Sequence, residues 1–385
     1  MESSPIGSDT KRGQCRVAIG IYFFMAGLCF ASWASRIPDI KRSLHLDDAA
    51  LGSILLALTF GLLTSLPLSG WLVSKFGSRY ILMGATVLYA CTLPVIGFAK
   101  AGWQLAMVLF LFGICGNLVN ISVNTQAVSL EMQYKRSIMA SFHGLWSLAG
   151  FTGALVGNAM INLHLTPLQH FVIIGMLGVP AAVIAVRYTL PQDVNSSAGK
   201  PLFVWPDAAL LKLGIIAMCC MICEGAMFDW SGVYFQKVVK VPPGLVILGY
   251  TAFMCAMATG RFGGDKLATY LGTQRILQFS GVVIAIGLLL AVLFPTISMA
   301  TVGFLLTGFG VSSVVPMVYG AAGKSKTMSP GMALAAVSTI GYLGFLAGPP
   351  VIGFLAQASS LRWSFTLIAA LGFTTTILAV RTQRI

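Results

Sequence analysis

An all-α membrane protein of twelve transmembrane helices, in two parallel six-helix repeats, is the fold the sequence predicts. Three observations carry it. The chain has 385 residues, of which 57% are hydrophobic and only 9% charged. Its apolar residues come in runs of about 20, the length that spans a bilayer core of roughly 30 Å. Residue identities in the first half return at a fixed offset in the second.

A soluble domain carries roughly 25% charged residues, so this chain has too little polar surface to face water. Hydropathy places helices near 16–36, 49–74, 80–99, 103–130, 138–162, 167–188, 208–234, 244–262, 274–294, 297–320, 331–357 and 361–380. Turn-forming residues punctuate the connections, at Pro38-Asp39, Gly77-Ser78, 100–102, Thr166-Pro167, Pro242-Pro243, Pro295 and 329–331. The first run follows Lys11, Arg12 and Arg16, as a signal peptide would. Eleven further spans follow and no A-x-A site is evident, so it reads as a first helix. The halves are 1–188 and 208–385, joined by a linker at 189–207 whose polar centre is 195–199.

An even number of spans puts both termini on one side. With that side in the cytoplasm, only seven of the 24 basic residues fall outside: Arg36, Lys41, Arg42, Lys100, Lys237, Lys240 and Arg362. The positive-inside rule therefore predicts that both termini are cytoplasmic. The net charge of +13 is not a nucleic-acid signal, because the basic residues sit in ones and twos with no stripe. Cys220 and Cys223 form a CxxC, but no βαβ unit or second Cys/His pair accompanies it. The eight cysteines read as packing residues, and no metal or cofactor is expected.

The repeat has an offset of 197 residues. Trp33 maps to Trp230, Leu51-Gly52 to Leu248-Gly249, and Phe112-Gly113 to Phe309-Gly310. Ser141 and Gly144 map to Ser338 and Gly341. Near helices three and nine the offset slips to 195, where GSRYIL meets GTQRIL. Parallel six-helix halves with an inner linker are the plan of the major facilitator fold, whose substrate site lies near the midplane between the halves.

The segments GLCFASWASRIPDI, GWLVSKFGSR, HGLWSLAG, CEGAMFDW, GRFGG and GYLGFLAGPPVIG resemble the YbjJ-like branch of the major facilitator superfamily, distantly similar to sugar permeases of the fucose type. The resemblance spans the chain and implies a secondary transporter of a bacterial inner membrane. Two departures stand out. Of the family motif G-x-L-x-D-R-x-G-R, Gly70, Leu72, Lys75, Gly77 and Arg79 match, but Ser74 replaces the Asp and Thr269 stands there in the second copy. Drug antiporters carry Gly-Pro on helix five, whereas here helix five has no proline and Gly348-Pro349-Pro350 lies on helix eleven.

Ionisable groups in lipid are costly and mark function by default. Glu224 lies about sixteen residues from the inner end of helix seven, slightly past the midplane at roughly 1.5 Å per residue. It suits proton uptake and release; alternatively it is a protonated hydrogen-bond partner. Asp229 is 140° away around the same helix. It is placed near Arg36 of helix one, and the two are expected to form an outer gate unless each is simply solvated at the rim. Glu131, Arg261 and Asp265 are placed at inner helix ends, where snorkelling or gating suffices.

Helix four carries Asn117, Asn120 and Asn124 within about 60° of arc. The stripe serves as a substrate wall or as interhelical glue. On helix five, His143 is a candidate for proton coupling or a neutral hydrogen-bond partner. Trp33, Trp146 and Trp230 offer stacking surfaces, although Trp33 and Trp230 also suit an interfacial belt.

No Walker loop occurs, so ATP is not the direct driver. No HExxH occurs and no nucleophile, base and orienter assemble, which argues against an enzyme. The reading is a monomeric secondary transporter embedded in lipid, moving a small, neutral, sugar-like solute with protons. The acids and amides have no central cation to balance an anion. The alternative is a proton antiporter exporting cationic or amphipathic compounds. A non-transporting receptor is a lesser rival, since the chain has no sizeable soluble segment.

Overall fold

The computed structural model describes residues 9–134, 138–192, 207–322, 325 and 330–380. The linker centre 195–199, and Lys135, Arg136, Lys200, Lys324, Lys326, Arg381 and Arg384 of the charge reading, lie outside them.

Among the described residues, twelve helices are long and apolar enough to cross a membrane. They are α1 (Thr10–Ser43), α2 (Asp48–Val73), α3 (Ser78–Gly97), α4 (Gly102–Glu131), α5 (Ser141–Asn162) and α6 (Pro167–Tyr188). The second six are α7 (Ala208–Val239), α8 (Pro243–Gly263), α9 (Thr273–Leu293), α10 (Ile297–Ala322), α11 (Ala336–Ala358) and α12 (Leu361–Val380). No strand occurs among the described residues.

Helix ends follow local chemistry. Thr166 closes a capping box at α6, its hydroxyl accepting from Gln169 N while Gln169 Oε1 accepts from Thr166 N. Asp207 caps α7 by accepting from Leu210 N at 2.8 Å, and Thr296 caps α10. The expectation that α1 ends before Pro38 needs correction, because the helix runs through it to Ser43. Asp39 braces that turn, accepting from Arg36 at 2.8 Å and from Arg42 at 2.7 Å. Two spans are broken ahead of a proline that cannot donate to the preceding turn. These are α2 at Ser65, before Pro67, and α10 at Ser313, before Pro316.

The chain forms two compact units. One comprises Met1–His45 with Ala57–Ala198, and the other Leu46–Leu56 with Gly199–Ile385. The first turns of α2 thus belong with the C-terminal helices. Asp48 accepts from Lys237 Nζ through both carboxylate oxygens, at 2.8 and 2.9 Å. A Cβ on Gly52 would strike the backbone at Pro349 and Gly353.

In the N-terminal unit α2 and α4 meet backbone to backbone. A side chain at Gly61 would collide with the Phe110 carbonyl, and one at Gly113 with the Leu58 carbonyl. Small residues at such crossings let membrane helices approach closely. Gly113→Leu is expected to cost about 1–3 kcal/mol or more through overpacking. A lower melting temperature of the purified protein in detergent would register the loss.

Candidate functional site

In the C-terminal unit, α7 carries Glu224 buried near the middle of its span. Arg261 of α8 donates from Nη2 to Glu224 Oε1 at 3.1 Å. Position along the helix alone puts Arg261 at an inner helix end. Helical side chains lean toward the helix N-terminus, which for Arg261, near the C-terminal end of its span, is the membrane interior. A long side chain makes up the remaining distance. Tyr319 of α10 and Tyr342 of α11 stand within electrostatic range of Glu224, and Tyr319 hydrogen-bonds Ser338. Four helices therefore contribute to one polar cluster. The signal that could have found it is the rule that a buried acid needs a cation, applied to Arg261 of GRFGG on the neighbouring helix.

Asp229 is half-buried one and a half turns on and makes no hydrogen bond or ion pair among the described residues. It lies within electrostatic range of Tyr250, whose hydroxyl is buried without a partner among those residues. Phe228 packs edge-on against that ring at 6.3 Å.

In the N-terminal unit the asparagine stripe divides. Asn117 is buried and donates its amide hydrogens to Ser65 and Ser69, both at 3.0 Å. It ties α4 to the break in α2. Asn120 is exposed, and Asn124 donates to its side-chain oxygen at 2.9 Å. Two of the three amides thus remain available as a wall. Asn117→Ala is expected to lower stability by about 1 kcal/mol, at about 0.6 kcal/mol per intramembrane bond, and to leave solute affinity unchanged in a transport assay.

His143 is exposed on α5 and meets Phe23 edge-on at 5.4 Å. Trp146 is half-buried, tilted against Phe30 at 6.2 Å. Trp33 and Trp230 are not surface belts, since both are 0% exposed. Their indole N–H groups find no partner among the described residues. Stacking on a solute would require these buried rings to become accessible.

Arg36 is buried and engaged inside the N-terminal unit. It donates to Asp39 Oδ2 at 2.8 Å, to the Leu165 carbonyl at 2.9 Å and to His170 Nδ1 at 3.2 Å. His170 did not figure in the sequence reading. Arg79 of the helix-two motif donates to the carbonyls of Val186 and Arg187 at the end of α6.

Known proteins share this architecture. The family model described as Major Facilitator Superfamily matches residues 19–329. An uncharacterised MFS-type transporter of Yersinia pestis is 35% identical over 356 residues, covering 92% of each chain. The membrane protein MosC of Rhizobium meliloti is 31% identical, covering 92% of this chain and 87% of its own. Among solved structures, a variant of the nucleoside transporter NupG superposes with a TM-score of 0.76 at 13% identity, covering 96% of this chain and all of that one. At that identity the likeness speaks for the fold alone. Twelve membrane-length helices, the family match across most of the chain and these full-length relatives lead to one conclusion: the chain belongs to the Major Facilitator Superfamily and is a membrane transporter, not an enzyme.

Proposed function

We propose that the protein is a proton-coupled secondary transporter of a small polar solute, working by alternating access. The observation that carries this reading is the Glu224–Arg261 pair, an ionisable couple set inside α7 and α8. Such groups within a membrane span are costly and retained for work. Protonation of the carboxylate would loosen its hold on the guanidinium, which gives the proton a structural consequence. His143 and Asp229 remain alternative proton carriers.

The exposed amide of Asn120, the half-buried amide of Asn124 and the ring of Trp146 suit a hydroxylated, sugar-like solute. The sequence argument for a neutral solute rested on the lack of a central cation, and Arg261 removes that premise. A gating role for Arg36 and Asp229 requires Arg36 to leave its three partners in the N-terminal unit during the cycle. The distribution of basic residues supports cytoplasmic termini, and the proposal places the protein in an inner membrane with the monomer as the working unit.

One observation favours the antiporter alternative. Asp229, a half-buried carboxylate with no ion pair among the described residues, offers a site for a cationic compound. A reconstitution experiment separates the two readings. Proteoliposomes are challenged with sugars, nucleosides, organic acids and cationic drugs while internal pH is followed. Proton entry together with a polar solute supports the proposal. Proton movement opposite to cationic compounds alone, with raised drug tolerance on overexpression, would replace it with the antiporter. Solute movement without protons would remove the coupling.

A further inference from the structure

We propose that the protein binds an anionic membrane phospholipid on its C-terminal unit, with one acyl chain in a groove between α8, α9 and α10 and the lipid phosphate on Arg275. The site is independent of the Glu224 cluster and of the solute carried.

The groove is a cavity of about 210 Å³, walled by Gly260 and Gly263 of α8, Ile276 and Phe279 of α9 and Phe309 of α10. Ser280 and Ser313 are the polar residues lining it. Gly263 keeps it open, since a Cβ built there meets nothing within 4 Å. The internal repeat makes this space particular to the second half. Gly263 falls opposite Leu66 at the offset of 197 and opposite Leu68 at the offset of 195, so a leucine stands there in either register. The rim is apolar, with Phe262, Phe279 and Phe309 all exposed. Cavity walls without partner atoms forfeit dispersion contacts, and the bilayer around a membrane span supplies methylenes that restore them. A helix, about 10 Å across, is too wide for such a void, whereas an acyl chain is not.

Charge selects the headgroup. Arg275 lies in the first turn of α9, four residues before Phe279 and on the same face. Helical side chains lean toward the N-terminus, so its guanidinium is carried toward the membrane surface. Arg275 is exposed and makes no hydrogen bond or ion pair among the described residues. The repeat again marks a difference. In GSRYIL, Arg79 ties α3 to the carbonyls that end α6. In GTQRIL, Gln274 takes that place and donates to the Ala379 carbonyl of α12 at 3.1 Å. Arg275 stands where Tyr80 does, an added cation with no structural tie. Leaving aside Arg261, which holds Glu224, residues 262–275 carry Lys266 and Arg275 against Asp265 alone. That excess favours an anionic headgroup over a zwitterionic one, whose ammonium would stand beside Arg275. With cytoplasmic termini, as proposed above, the lipid belongs to the inner leaflet, where anionic headgroups attract basic side chains.

The test uses the full purified chain in detergent, titrated with phosphatidylglycerol, phosphatidylcholine, glycerol phosphate and inorganic phosphate. Native mass spectrometry counts the lipids retained per chain, and the melting temperature reads stabilisation. The wild type should retain one phosphatidylglycerol in preference to phosphatidylcholine, and neither soluble phosphate should raise its melting temperature. Arg275→Gln should weaken that binding about 5-fold, and Arg275→Lys should restore most of it. Gly263→Leu, which introduces the side chain found in the first repeat, should abolish the single retained lipid. Arg275 is exposed, so its variants report on binding even where Gly263→Leu melts early. Equal retention of phosphatidylcholine, or phosphatidylglycerol binding unchanged in Arg275→Gln, overturns the anionic assignment. A lipid that persists in folded Gly263→Leu overturns the groove as its seat. Stabilisation by either soluble phosphate to the same extent as by phosphatidylglycerol overturns the lipid as the source.

Discussion

Replacing Glu224 by glutamine is expected to abolish accumulation of solute against its gradient while leaving solute exchange across the membrane intact. Glutamine has the shape of a protonated glutamate and cannot release the proton. The carrier would then cycle only while solute occupies it. Exchange of labelled for unlabelled solute should persist, and net proton-driven uptake should vanish. The partner charge matters for the interpretation. Removing one member of a buried ion pair leaves the other uncompensated, so Glu224→Gln must be shown to elute and melt as a folded protein. Loss of both exchange and accumulation in a folded variant would assign Glu224 to solute binding.

Arg36→Ala is expected to destabilise the N-terminal unit through the loss of a buried guanidinium and its three hydrogen bonds. Arg36 is 2% exposed and its guanidinium holds Asp39, the Leu165 carbonyl and His170. Breaking a wholly buried pair costs roughly 3–5 kcal/mol. Here Asp39 is 22% exposed and keeps Arg42, so a loss of about 2–3 kcal/mol is expected. Arg36→Lys should recover part of it, since an ammonium keeps the charge but not the planar fork. Thermal unfolding in detergent reads both. Unchanged stability in Arg36→Ala would contradict the structural role and return weight to gating. Normal transport with normal accessibility of outer cysteine probes would remove the gate itself.

Much of the architecture was legible because one physical signal dominates it. Each span is an apolar run of bilayer length, and twelve such runs produce twelve membrane-length helices. The proline rule does not place helix breaks by itself: a break precedes Pro67 and Pro316, whereas helices run unbroken through Pro94, Pro180, Pro349 and Pro350. It failed at Pro38, where the Arg36–Asp39–Arg42 pairs carry the helix onward.

The site was legible in part. Glu224 was found from its cost in lipid. Arg261 was misjudged because position along a helix fixes the Cα, whereas a long side chain decides where the charge goes. The asparagine stripe shows the limit of periodicity. Three amides within about 60° of arc cannot be told apart on a helical wheel. The break at Ser65 on another helix determines that Asn117 turns inward to Ser65 and Ser69. For Trp33 and Trp230 the sequence leaves a stacking surface and an interfacial belt open, because distance to a helix end says nothing of the tertiary packing that buries both. The tie between Asp48 and Lys237 joins residues 189 positions apart, and no local pattern announces it.

The central claim is that the proton rides on Glu224 opposite Arg261. Solute-driven proton flux, measured side by side in proteoliposomes of the wild type, Glu224→Gln, Asp229→Asn and His143→Gln, tests it most directly. The account predicts that Glu224→Gln alone loses the flux while the other two retain it. Flux that survives in Glu224→Gln and disappears in Asp229→Asn or His143→Gln would contradict it.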